Sequence, residues 1–250
     1  MKKTLIAVTA LALLFTSCKS TDVKKQQTPN LSEVKGTYEA LFPAWCVAEY
    51  NKIWEEALKN YADVPAEKAS SVKDTFLSTY EAEIYGTDAV EKVKTNPSYF
   101  AFKCDFTDGI KTFTFDGSKI HGEDEKGRTV FSHNYKYLKT LKADFGPKNA
   151  DYAAVLSDED WPRFDIYESD GPSDEYKYFA MGGDTPAETY HIEFRYGDNP
   201  VELVRYYEGK YAYWMASGVL KDCDKEMMKN VINLFAEENA DTIRAIAGTN

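Results

Sequence analysis

Between residues 100 and 196 the chain is cut by turn signals at short intervals, and this spacing constrains the fold more than any other feature. Asp108-Gly109, Asp116-Gly117, Lys126-Gly127, Asp170-Gly171-Pro172 and Gly182-Gly183 separate runs rich in β-branched and aromatic residues. Runs at 100–106, 111–115, 118–121, 128–141, 153–157, 164–167 and 175–181 read as strands, and 188–196 completes the set. Short strands joined by tight turns suggest an antiparallel sheet closed, or nearly closed, into a barrel. The 18 Tyr and 14 Phe supply the rings to pack such a sheet.

Helical periodicity flanks this region. Tyr50, Ile53, Trp54, Ala57, Leu58 and Tyr61 recur every 3.6 residues over 49–62, and Pro65 stops the pattern. A second pattern over 67–80 places Val72, Phe76, Leu77 and Tyr80 on one side, and Thr87-Asp88 caps a short helix through Val93. After the strands, 201–216 reads as helical at least in part. Residues 225–247 read as one helix, with Met228, Val231, Ile232, Leu234 and Phe235 inward and a stop at Gly248. The run 36–45 is a mixture of short pieces. The expected class is α+β: helices, an antiparallel β-barrel, then helices.

One strand carries the candidate chemistry. Over 188–199 the sequence alternates, with Tyr190, Ile192, Phe194 and Tyr196 on one face and Thr189, His191, Glu193 and Arg195 on the other. His191 is one of three histidines in the chain. His191 and Glu193 point the same way, roughly 6–7 Å apart at Cα, and both can ligate one metal ion. The plainer reading is a solvated strand face on which Arg195 pairs with Glu193. A polar inner wall lining a cavity in the barrel is the other arrangement that such alternation allows.

The net charge of −11 and the lack of a basic stripe exclude nucleic acid as a partner. No nucleophile elbow, phosphate loop, dinucleotide fingerprint or HExxH motif occurs, so an enzyme is not expected. Lys2 and Lys3 precede an apolar run over 5–15 that ends in Thr16-Ser17-Cys18. This is similar to a bacterial lipoprotein signal: residues 1–17 removed, Cys18 lipidated, and 18–30 a polar tether to one domain over 31–250. The expected location is the cell envelope, membrane-anchored, on its periplasmic or extracellular face. Cys46, Cys104 and Cys223 permit one disulfide and one free thiol there.

Two stretches carry a resemblance to a family. Leu31-Ser32 with Gly36, Tyr38 and Pro43 resembles the opening of the ZinT (YodA) zinc-binding proteins, Leu-Ser-x-x-x-Gly-x-Trp-x-Ser-Val-Tyr-Pro. Tyr176-Lys177-Tyr178-Phe179, Pro186, His191-Ile192-Glu193 and Gly197-Asp198 resemble the family's C-terminal signature. The resemblance spans about 31–235 and implies a lipocalin-like (calycin-type) barrel with helical flanks. It also implies a metal held by one histidine, then, after eight residues, His-x-His. His191 matches the first of that pair and Glu193 replaces the second. Gly182 stands in the place of the earlier histidine and cannot ligate, but Asp184 lies two residues on. The implied ligands are His191, Glu193 and Asp184, with water, His121 or His133 completing four.

The family implies binding of zinc or another divalent cation for metal capture or homeostasis, and a role as a component of metal uptake. The alternative is a metal-free lipocalin-like lipoprotein that binds a small ligand or a protein partner. The aromatic group Tyr206, Tyr207, Tyr211, Tyr213 and Trp214 reads as packing over a barrel end rather than as a sugar site.

Overall fold

Eight strands follow one another around a closed antiparallel barrel in the order β1-β2-β3-β4-β5-β6-β7-β8, as the turn spacing implied. The computed structural model describes residues 30–96, 99, 101–146, 161–182 and 190–249. The strands are β1 Lys35–Ala40, β2 Thr112–Asp116, β3 Lys119–Glu123, β4 Thr129–Lys142, β5 Arg163–Ser169, β6 Tyr178–Met181, β7 His191–Gly197 and β8 Ala216–Leu220. Closure is made by β1 against β8, with Tyr38 opposite Leu220 and Ala40 opposite Gly218. The strand expected at 153–157 and the lipidation site at Cys18 lie outside the described residues. Among the described residues no helix is long and apolar enough to cross a membrane.

Strand alternation fills the barrel with aromatic rings. Phe113 sits at the centre: its ring centroid lies 5.1 Å from Phe194, 5.2 Å from Tyr196 and 5.7 Å from Phe179. Phe131 stacks on Tyr176 at 4.2 Å nearer one end. At Gly122, opposite Phe131 in the β3–β4 register, the Phe131 ring occupies the space that a Cβ would need. The interior is therefore a packed core, which overturns the expectation of a cavity lined by the polar face of β7.

Helices cover one side of the barrel. They are α1 Leu41–Trp45, α2 Asn51–Ala62, α3 Ala66–Tyr80, α4 Gly86–Thr95, α5 Lys225–Glu238 and α6 Ala240–Ala247. In α2 the apolar period buries Ile53, Trp54, Ala57 and Leu58, and the helix ends at Asp63 in the left-handed region, φ 54°. Trp45, Trp54, Phe76, Tyr80 and Phe235 interlock above the barrel, with Trp45 and Phe235 centred 4.7 Å apart. Asp224 caps α5 by accepting from the Glu226 and Met227 amides.

Three local expectations are corrected, and the short pieces expected over 36–45 are resolved. The first is the single helix at 225–247. It breaks at Asn239, whose side-chain amide donates to the Phe235 carbonyl while its own carbonyl accepts from Ile243. The second is the helical reading of 201–216. Only the 3-10 turn Glu202–Val204 forms, and Gly209 (φ 82°) and Tyr213 (φ 60°) turn the chain back before β8 begins. The third is the strand at 100–106. Its described part runs outside the barrel ladder: Phe102 and Cys104 donate to the carbonyls of Thr79 and Tyr80, and Lys103 donates to Tyr213. Lastly, 36–45 holds a barrel strand, β1, hidden by Gly36 at φ 120° and by the immediate turn into α1.

Phe113→Ala is expected to lower stability by about 3–5 kcal/mol, because six neighbouring rings lose contact. Gly122→Ala is expected to cost about 1–3 kcal/mol through overpacking against Phe131. Urea unfolding followed by tryptophan fluorescence measures both.

Candidate metal centre on the outer face of the barrel

Strand β7 turns Ile192, Phe194 and Tyr196 into the ring-filled core, so His191, Glu193 and Arg195 face outward. That outward face is not solvated. His191 is 4% exposed and Arg195 is fully buried, because helices and the 203–207 segment lie over it. The expected solvated strand face is corrected for the same reason.

Register fixes what surrounds each group. His191 stands opposite Val219, and Glu193 opposite Ser217. On the other side of β7 the Gly182 amide donates to the Glu193 carbonyl at 2.7 Å. Ser217 Oγ reaches the Glu193 carboxylate at 3.5 Å. The chain enters β7 through Tyr190, which is held in the left-handed region at φ 56°, with its carbonyl accepting from Leu220. Of the three sequence-derived ligands, the structure brings His191 and Glu193 onto one face. Asp184 lies outside the described residues. Among the described residues no group of three or more His, Cys, Asp or Glu side chains gathers around one point.

The other two histidines do not join them. His121 lies on β3, across the eight-strand ring from β7, and pairs with Glu123 at 3.1 Å. His133 lies on β4 in the inward row at a barrel end, its ring centroid 5.5 Å from that of Phe131. Neither completes a centre at His191, which removes both as fourth ligands.

Arg195 also departs from expectation. It does not extend along the strand to Glu193. Its Nη1 donates to the carbonyls of Leu203 at 2.7 Å and Arg205 at 2.8 Å, and its guanidinium lies 4.5 Å over the Tyr206 ring. Burial pulls its pKa down to about 10, which still leaves it charged at neutral pH. Arg195 is thus a clamp that fixes the loop between β7 and β8.

Residues that no motif indicated surround Glu193 on the helix-covered outer side of β7. Tyr80 from α3, Cys104 from the connector and Ser217 from β8 line a small cavity with Glu193. Phe42, Phe102 and Phe235 close it with rings. Cys104 is placed there because the connector is stapled on both sides: its amide donates to Tyr80 and its carbonyl accepts from Ser217. Burial pushes the Cys104 thiol well above its ordinary range, and the nearby Glu193 charge adds to this. Cys46, Cys104 and Cys223 are all free thiols, so the disulfide that an odd cysteine count permitted is not formed. Burial likewise raises the thiols of Cys46 and, to about 11, Cys223.

Comparison with known proteins is sparse. No family model matches the chain, and no curated protein matches it in sequence. Solved structures that superpose on it include two zinc-bound ones. One is the Zn(II)-bound ZinT-like domain of Streptococcus pneumoniae AdcA, with a TM-score of 0.49 and 10% identity, covering 86% of this chain and 94% of that one. The other is Zn(II)-bound AdcA from the same organism, with a TM-score of 0.45 and 9% identity, covering 85% of this chain. This chain spans only 37% of the length of that protein.

Arg195→Lys is expected to destabilise the protein by about 1–3 kcal/mol, since an ammonium loses the planar stack on Tyr206 and cannot keep both carbonyl contacts in one geometry. Denaturant midpoints of the two proteins measure it.

Proposed function

We propose that this chain is a ZinT-like binding protein of the cell envelope that captures zinc or a related divalent cation. His191 and Glu193 serve as ligands, and Asp184 supplies a third. The observation that carries this reading is the register of β6 and β7. The Gly182 amide donates to the Glu193 backbone carbonyl, so the last described residue before Asp184 lies beside the strand that carries Glu193 and His191. One imidazole and two carboxylates make a mixed nitrogen and oxygen set, harder than three imidazoles. It therefore also admits manganese, iron or nickel. The role is capture and delivery rather than catalysis, with a lipid on Cys18 and the polar segment to residue 30 holding the barrel at a membrane surface.

A ligand carried inside the barrel, as one form of the metal-free alternative requires, is disfavoured by the aromatic fill around Phe113. Its protein-partner form draws on Tyr137 and Leu138 of β4, which are 57% and 43% exposed.

The experiment is competition for zinc against a chromophoric chelator, with the full chain, His191→Ala, Asp184→Ala and the His191→Ala/Glu193→Ala pair. Each single change is expected to weaken zinc by on the order of 10-fold or more, and the pair to abolish binding. Equal binding by wild type and the pair sinks the assignment. A wild type that binds no zinc leaves the partner reading in its place.

A further inference from the structure

The long strand β4 outruns its neighbour. Its ladder to β3 ends at Asn134, opposite Lys119, and among the described residues positions 136–142 pair with β5 alone. On the β5 side the register shifts between Tyr137 and Lys139, so Leu138 is an extra residue with no partner there. This bulge breaks the alternation that turns every second side chain inward. Lys136, Tyr137, Leu138 and Lys139 are exposed one after another. Neither lysine is in an ion pair among the described residues: Glu168, opposite Lys136, is paired with Lys177 at 3.2 Å, and the apolar Ile166 stands opposite Lys139. A chain with a net charge of −11 thus presents, on one open edge, two cations flanking an exposed ring and an exposed leucine.

The place where the chain enters the domain adjoins this patch. Tyr137 packs edge-on against Tyr167 at 5.9 Å, and the Tyr167 hydroxyl accepts from the Leu31 amide at 3.1 Å. Leu31 is buried and Asn30 is exposed, so the preceding segment joins the domain at the side of the patch. We propose that this face of β4 is a membrane-docking surface, which lays Tyr137 and Leu138 into the interface of an anionic lipid bilayer and sets Lys136 and Lys139 against its headgroups. The proposal deepens the envelope reading and rests on its tether. Only twelve residues lead from Cys18 to Asn30, and fully extended they reach roughly 40 Å at most. A lipid on Cys18 therefore holds this face close to the surface. Residues 19–29 carry three lysines against one aspartate, the same sign as the patch, so both favour anionic headgroups together. A tyrosine suits the boundary between headgroups and acyl chains, because its ring is apolar and its hydroxyl stays wet. The lysines also oppose addition of a strand from a second copy to the open edge.

Lysine footprinting of the full chain tests this. An amine-reactive label is applied with and without vesicles of phosphatidylglycerol and phosphatidylcholine, and the labelled positions are read by mass spectrometry. Lys136 and Lys139 are expected to lose label on the anionic vesicles, whereas Lys52 and Lys59, exposed on α2, keep theirs. Lys136→Glu/Lys139→Glu is expected to bind the same vesicles on the order of 10-fold more weakly. Equal labelling of all four lysines on vesicle-bound chain overturns the proposal and leaves the patch to a protein partner. Shielding that appears without vesicles and grows with protein concentration overturns it in favour of a second copy. Shielding as strong on phosphatidylcholine alone also overturns it, since the lysines then contribute nothing to recognition. The lipid on Cys18 is read separately, from the mass of the intact chain. A lipidated chain with evenly labelled lysines keeps the anchor and loses the docking face. A chain without lipid that still shields Lys136 and Lys139 on anionic vesicles keeps the face and loses the anchor, and a chain that binds no vesicles loses both.

Discussion

Everything else in this structure depends on the contact of Phe113 with the rings of Phe179, Phe194 and Tyr196. These four come from β2, β6 and β7, so their packing joins distant parts of the ring of strands across its middle. Each such pair contributes about 0.5–1.5 kcal/mol beyond simple burial. The larger effect is on where polar chemistry can sit. A barrel whose lumen is occupied by rings cannot hold a polar centre inside. The odd-numbered residues of β7 are forced outward, and their chemistry develops between two layers instead of within one.

The second layer makes that outer face useful. A polar group on an uncovered strand competes with bulk water for any ligand. Here α1, α3 and α5 bring Phe42, Tyr80 and Phe235 over β7 and β8, and lower the local dielectric around Glu193 and Cys104. Arg195 contributes from the neighbouring position by tying the loop ahead of β8 to the strand. The site, the loop and the helical cap thus share one strand as their common support.

How much of this the sequence disclosed follows from the range of the interactions involved. Strands β2 to β7 were legible because turn residues such as Asp116-Gly117 announce their boundaries locally. Helices α2 and α3 were legible by their period. Strand β1 was not, since it exists only through partners more than seventy residues away. Strand β8 was masked by an aromatic stretch whose apparent helicity is overridden by left-handed turns at Gly209 and Tyr213. His191 and Glu193 stood out from alternation alone. Cys104, Tyr80 and Ser217 did not, because they lie in a connector, a helix end and a strand that no short pattern links. Whether an alternating polar face meets water or a helix layer is likewise a tertiary fact.

Gly182 limits what the face beside Glu193 can carry. A Cβ built at this position would lie 2.9 Å from the Glu193 carbonyl oxygen and 3.3 Å from its Cβ. The two strands have closed to a separation that only a residue without a side chain permits. Placing a histidine there would force β6 and β7 apart and break the hydrogen bond between Gly182 and Glu193. A three-imidazole centre is therefore not one substitution away from this chain. Gly182 and the Glu193 backbone are thus coupled: a side chain at 182 requires the two strands to separate.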